Sequence, residues 1–160
     1  MKDSDVLELL RHYRHDLLND LQLIQGFASM GKYEYSNKKI QALIKRLSSE
    51  RLLQAIESQE FPLWLFNEKY TNENLTIEFY IEDIGEELKH HDHQMKRDGQ
   101  ALFEKLSQTP PVDVNITINE NKVAYQFNKQ SEEVLQKLNS VKNIEVNKLE
   151  QGLEVIYQYK

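Results

Sequence analysis

Cysteine is absent from the 160 residues, which excludes disulfides and thiolate metal sites and fits a reducing compartment. No stretch approaches the ~18 apolar residues needed to span a bilayer. The N-terminus has no apolar core of a signal peptide. A cytoplasmic chain with no membrane partner is therefore expected. Positive charge is in the minority: 20 Lys and Arg face 26 Asp and Glu, for a net charge of -6 and a pI of about 5.4. A duplex binder needs a basic surface, because neutralising phosphates drives its affinity. The small basic clusters Lys38-Lys39 and Lys45-Arg46 read as solvated helix surface, so nucleic acid is not an expected partner. Internal repeats and low-complexity tracts are also missing. What is present, 39% hydrophobic and 29% charged residues, suffices for one domain or two small ones.

The strongest pattern lies at the start. Val6, Leu10, Tyr13, Leu17, Leu21, Ile24 and Ala28 are spaced by fours and threes. At about 100° per residue they fall in one apolar stripe. The spacing predicts a helix from Ser4 to Met30, capped by Asp3 or Ser4 and ended by Gly31. Gly26 inside it suggests close helix packing. A second helix, Glu34 to Ser58, carries Ile40, Leu43, Ile44, Leu47, Leu52, Leu53 and Ile56. The short Gly31-Lys32-Tyr33 connection makes the two helices antiparallel neighbours. Such a hairpin buries little area alone. A second copy can cover it as a dimeric four-helix bundle, or the rest of the chain can do so.

Beyond Pro62 the pattern changes. A short helix is expected over Leu63–Tyr70, a strand over Leu75–Ile81 and a helix over Leu88–Ser107 with Met95, Leu102, Phe103 and Leu106 inward. Pro110-Pro111 breaks the chain. Strands over Val112–Ile118 and Val123–Phe127, with a turn at Asn119-Glu120-Asn121, precede a helix over Glu132–Leu138. A last hairpin pairs Ile144–Leu149 with Leu153–Tyr159 through a turn at Gln151-Gly152. The expected fold is α+β: a helical hairpin domain over residues 1–60 and a small α/β sandwich over 61–160.

His15 projects about 180° from Val6 on the helical wheel, away from the stripe. Its angular neighbours are Arg11, Leu18, Asn19 and Gln22. A neutral imidazole is a good nucleophile near pH 7 and can hold a phosphoryl group in a labile P–N bond. Positioning and charge stabilisation dominate such transfers. Asp16 can orient the other ring nitrogen or take its proton. Asn19, one turn on, can bond the imidazole or phosphate oxygens. Arg14 and Arg11 can offset the added charge. By chemistry alone the arrangement is permissive, since a helix-surface histidine needs no function.

The run Arg14-His15-Asp16-Leu17-Leu18-Asn19-Asp20-Leu21-Gln22-Leu23-Ile24-Gln25-Gly26 closely resembles the phospho-acceptor box of the sporulation initiation phosphotransferase B family, and a related box of citrate-type sensor kinases. The Gly31-Lys32-Tyr33 turn and the stretch from Phe66-Asn67 to Phe79 are similar to that family as well. Leu17 and Asp20 depart from it, standing where an aromatic and a basic residue are common. The resemblance implies a homodimer in which His15 accepts a phosphoryl group from a response-regulator aspartate and passes it to a second regulator. Arg14, Asp16 and Asn19 would support the transfer, with Arg11, Leu18 and Gln22 on the partner-facing surface. It also implies an ATPase-like second domain without ATP and no cofactor on this chain, the Mg2+ lying in the regulator's acidic pocket. A working kinase ATPase domain needs an asparagine-bearing helix and D-x-G and G-x-G segments that let backbone approach phosphates. The helix from Asp92 to Leu106 holds no asparagine, and Gly85, Gly99 and Gly152 are isolated. A phosphotransferase is thus expected over an autophosphorylating kinase. A non-catalytic dimeric module that binds regulators and a degenerate sensor-kinase core are the alternatives.

Other clusters read more plainly. Glu86, His90 and His93 share a face if one helix carries them, yet a polar helix surface explains them without metal. His12 lacks the following Asp and Asn spacing. Trp64 with Phe61, Leu63, Leu65 and Phe66 reads as interdomain core, and Tyr33 and Tyr35 as packing at the hairpin tip.

Overall fold

The computed structural model describes residues 2–106, 112–128, 132–139, 141–142 and 144–160, and divides the chain into two compact units, Met1–Glu50 and Arg51–Lys160. The expected break at Pro110-Pro111 and the helix end at Ser107 lie outside the described residues.

The first unit is a helical hairpin of α1 (Asp3–Ser29) and α2 (Tyr33–Leu52). The cap is not Asp3 or Ser4: Asp5 reaches back to accept the backbone N–H of Lys2 at 3.0 Å. At the other end, Lys32 N–H donates to Phe27 O (2.9 Å) and Gly31 N–H to Ala28 O (3.0 Å). This closure needs the left-handed backbone of Gly31, φ +71°. The helices run antiparallel, as Tyr13 meets Glu50, Asp20 meets Arg46, and Phe27 stacks on Tyr35. Nothing lies within 4 Å of a Cβ placed on Gly26, so this glycine does not mark a close approach. No residue of α1 is buried, and α2 buries only Ser36, Ser49 and Glu50. Four of the seven stripe residues (Tyr13, Leu17, Ile24 and Ala28) are partly covered, whereas Val6, Leu10 and Leu21 stay exposed with Ile40, Ile44 and Leu47 of α2.

The second helix stops at Leu52, short of the expected Ser58. A 3-10 turn, Leu53–Ala55, follows, and Ile56 is extended. Leu53 and Ile56 have helical spacing, but both are buried in the core of the second unit. Apolar spacing of three is shared by a helix and a 3-10 turn, so it did not reveal the break.

In the second unit α3 (Glu60–Thr71), α4 (Glu86–Lys89), α5 (Asp92–Leu106) and α6 (Glu132–Leu138) accompany a five-stranded sheet ordered β1-β2-β3-β5-β4. The strands are β1 (Leu75–Ile81), β2 (Val112–Asn119), β3 (Lys122–Asn128), β4 (Ile144–Leu149) and β5 (Gly152–Gln158). Only β1 and β2 are parallel. Alternate residues of β1, β2, β3 and β5 are buried, among them Ile77, Phe79, Val114, Ile116, Tyr125, Phe127 and Val155, whereas the edge strand β4 buries none. These pack with Phe61, Trp64, Leu65, Met95, Leu102, Phe103 and Leu138 from the helices into a two-layer sandwich, an apolar burial that dominates its stability. Trp64, tilted against Phe61 and Phe103, therefore belongs to this unit's own core, and Leu63 is exposed. The helix expected over Leu88–Ser107 is interrupted at His90-His91. Leu88, Asp92, Met95 and Gly99 keep helical spacing through the break, which hid it. The last hairpin turns at Glu150-Gln151, one residue earlier than expected, because Gly152 already pairs with Leu149. Among the described residues no helix is long and apolar enough to cross a membrane.

Candidate functional site

His15 lies in the middle of α1 with its side chain 71% exposed. The positions of α1 turned toward α2 are Leu9, Tyr13, Leu17, Asp20, Ile24 and Phe27, all partly covered. On a helical wheel their centre is roughly 150° from His15. That placement follows from spacing: apolar residues at threes and fours draw one side of α1 inward and leave the opposite side in water.

Two groups converge on a single nitrogen of the ring. Asp16 Oδ1 is 3.6 Å from His15 Nδ1, and the Asn19 amide is 3.3 Å from the same atom. The Asn19 atom nearest Nδ1 is its Nδ2, so hydrogen on Nδ1, toward the carboxylate, goes with an Asn19 amide flipped to present its oxygen. This tautomer leaves a lone pair on Nε2, the ring atom pointing away from both partners. Arg11 turns back to Glu8 at 3.4 Å, and His12 lies 3.8 Å from the same carboxylate. Arg14, Leu18 and Gln22 are exposed on the helix. The structure therefore groups His15, Asp16 and Asn19 by contact, and carries Arg11, Arg14, Leu18 and Gln22 as neighbours on the open surface.

Asp20 does not share that surface. It pairs with Arg46 of α2 at 2.9 Å, so its charge is met inside the hairpin. Arg46 also faces Glu50 at 3.8 Å, and Tyr13 O–H donates to Glu50 at 2.9 Å. Burial, and then Glu50 beside it, pushes the Tyr13 hydroxyl up to about 12. Tyr13 has the spacing of the apolar stripe, and that spacing gives no sign of the quartet. Its one visible signal is Arg46 and Glu50, charged residues one turn apart inside the apolar run of α2.

The histidine cluster separates. His90 pairs with Glu57 at 3.2 Å and His93 with Glu60 at 3.3 Å. Hydrogen bonds from Lys96, then His93, hold the Glu60 carboxyl below its ordinary value. Because the chain breaks at His90-His91, Glu86, His90 and His93 are not on one helix. Among the described residues no group of three or more such side chains could hold a metal ion. At the hairpin tip, Tyr35 stacks on Phe27, while Tyr33 is 67% exposed and packs little.

Residues 1–56 match the sequence model of the family described as the SpoOB-type sensor kinase, alpha-helical domain. The matched stretch contains the whole helical hairpin. The chain is also similar to Sporulation initiation phosphotransferase B of Bacillus subtilis (strain 168), with 24% identity over 105 residues. The match covers 66% of this chain and 55% of that protein, so it spans about half the length of the relative.

Proposed function

We propose that this chain is a phosphorelay phosphotransferase whose acceptor is Nε2 of His15. The observation that carries the reading is the convergence of Asp16 and Asn19 on Nδ1, which leaves Nε2 free on an exposed helix face. In the first step the Nε2 lone pair attacks phosphorus of an aspartyl phosphate on a response regulator. The acyl P–O bond breaks, the regulator's carboxylate leaves with that electron pair, and a P–N bond forms. The ring becomes cationic, and Asp16 stabilises the hydrogen on Nδ1 or accepts it. The second step reverses the first toward another regulator's aspartate. Arg14 and Arg11 offset the phosphoryl charge, and Arg11, Leu18 and Gln22 meet the regulator. Mg2+ belongs to the regulator's acidic pocket, and this chain brings no cofactor.

The working form in this reading is a homodimer. Leu10 and Leu21 of α1 and Ile40, Ile44 and Leu47 of α2 are exposed in one chain, and a second hairpin laid on them completes a four-helix bundle. The α/β unit is read as an ATPase-like domain that takes no nucleotide. Its isolated glycines support this, since each is committed to packing. An added Cβ would lie 2.1 Å from Asn121 Oδ1 at Gly85, 2.4 Å from the Trp64 ring at Gly99 and 1.8 Å from Phe127 O at Gly152.

The test offers the purified chain a phosphorylated response regulator with Mg2+ and looks for acid-labile label. Label is expected on the protein and absent from His15→Ala. Label retained by that variant removes His15 from the reaction. No label from any regulator of the source organism favours a non-catalytic regulator-binding module, and label taken from ATP alone makes the chain a kinase core.

A further inference from the structure

The interior of the helical hairpin holds four polar side chains in a row: Tyr13 and Asp20 from α1, Glu50 and Arg46 from α2. Glu50 is only 7% exposed, and the Arg46 side chain 22%. Arg46 Nε and Nη2 and Glu50 Oε1 have no hydrogen-bond partner among the described residues, so their remaining stabilisation is the ion pair itself. Buried charges of this kind do little for stability compared with apolar packing, and their attested use is to select one register. The turn at Gly31 favours one register, but the apolar part of the hairpin interior adds little selection of its own. Leu9, Leu17, Ile24 and Leu43 repeat at helical spacing, and apolar repeats of this kind tolerate a slide of one turn.

The two possible slides have different consequences. Moving four residues one way sets Glu50 level with Leu17 and Arg46 level with Ile24, where neither finds a polar group. Moving four the other way sets Glu50 level with Leu9 and Arg46 level with Asp16. In that register the guanidinium competes for the carboxylate that otherwise stands 3.6 Å from His15 Nδ1. We infer that the Tyr13–Glu50–Arg46–Asp20 quartet is a register lock that holds Arg46 on Asp20 and so reserves Asp16 for His15. Tyr13 and Asp20 bracket His15 on the same two turns of α1, so the clamped segment is the one that presents the acceptor. These are positioning residues: they act on His15 through Asp16. The inference rests on the phosphotransferase reading for its purpose, but not for its geometry.

The absence of cysteine makes the test direct. Exposed Ser4 of α1 and Lys39 of α2, far apart along the hairpin axis, are replaced, Ser4→Cys and Lys39→Cys, and spin-labelled. Labelled chains are diluted into unlabelled ones, and electron–electron distances are measured. The unaltered quartet is expected to give one narrow distance, and 15N NMR of His15 one dominant tautomer with hydrogen on Nδ1. Asp20→Leu with Glu50→Leu is expected to add a second distance displaced by about 5 Å, one helical turn, and to erode the tautomer preference. Asp20→Asn, which keeps an acceptor for Arg46, is expected to restore both. If the double variant fails to fold, Asp20→Ala is read in its place with the same expectation. A single unshifted distance with an unchanged tautomer in a folded variant overturns the lock. Neither readout uses phosphoryl transfer, so a His15 that takes no label defeats the functional reading and leaves the register result standing.

Discussion

His15 owes its position to nothing unusual in itself; it is placed by what its neighbours do. Leu17 and Tyr13 turn toward α2, and Asp16 and Asn19 then fall beside Nδ1. Tyr13 shows how a single residue carries two assignments. It has the apolar spacing of the stripe, yet its hydroxyl is spent on Glu50. Its ionisation is pushed up to about 12 by burial first, and Tyr157 in the sheet core is pushed up to about 12, again chiefly by burial. The sign follows directly. Each hydroxyl holds its proton more tightly folded than unfolded, so its stabilisation is complete below the unfolded pKa of about 10 and lost as pH rises through about 12. Thermal midpoints are expected to hold up to pH about 10 and then fall, and Tyr157→Phe should make that fall shallower. An equal fall in the variant, followed by circular dichroism, would remove Tyr157 from the linkage.

At the scale of elements, the ends were harder to read than the middles. Strand β1 occupies the residues its alternation indicates, Leu75–Ile81, because one face is buried and the pattern is unambiguous. Helix α3 starts at Glu60, three residues before the expected Leu63, and the cause is distant in sequence. Asp92, 3% exposed at the start of α5, accepts the backbone N–H groups of Glu60 (2.7 Å) and Phe61 (2.8 Å). A carboxylate from another helix thus satisfies orphan donors that a local Ser or Asp usually would, and Pro62 in the same turn has no N–H to satisfy. Asp92→Ala leaves the buried Phe61 donor and the part-buried Glu60 donor without this acceptor. A loss of about 2–3 kcal/mol is expected from urea unfolding. Asp92→Asn, which retains one acceptor oxygen, should lose less.

At the scale of the whole molecule, the contrast between the two units is physical. The α/β unit encloses a continuous core from Leu53 to Tyr159. The hairpin has no buried apolar residue, and exposes Leu10, Leu21, Ile40 and Ile44. Exposed apolar surface arranged in a stripe marks an interaction site rather than a stable free face. Light scattering is expected to give a dimer, and Leu21→Glu with Ile44→Glu a monomer that keeps its sheet signal. A wild-type monomer at micromolar concentration would contradict the four-helix bundle.

The helical hairpin and its turn, the strands, and the exposure of His15 with Asp16 and Asn19 near it were legible in the residues, because each depends on spacing within one segment. A period of about 3.6 or 2 sets which side faces inward, and Gly31 tolerates the backbone its turn needs. The stop of α2 at Leu52, the break at His90-His91, the cap from Asp92 and the pairing of Asp20 with Arg46 were decided only in three dimensions. Each of them depends on which residues, far apart in the chain, come within hydrogen-bond reach or share a core. Local spacing carries no record of that, since a charged residue at an inward position reads the same whether or not a partner stands opposite.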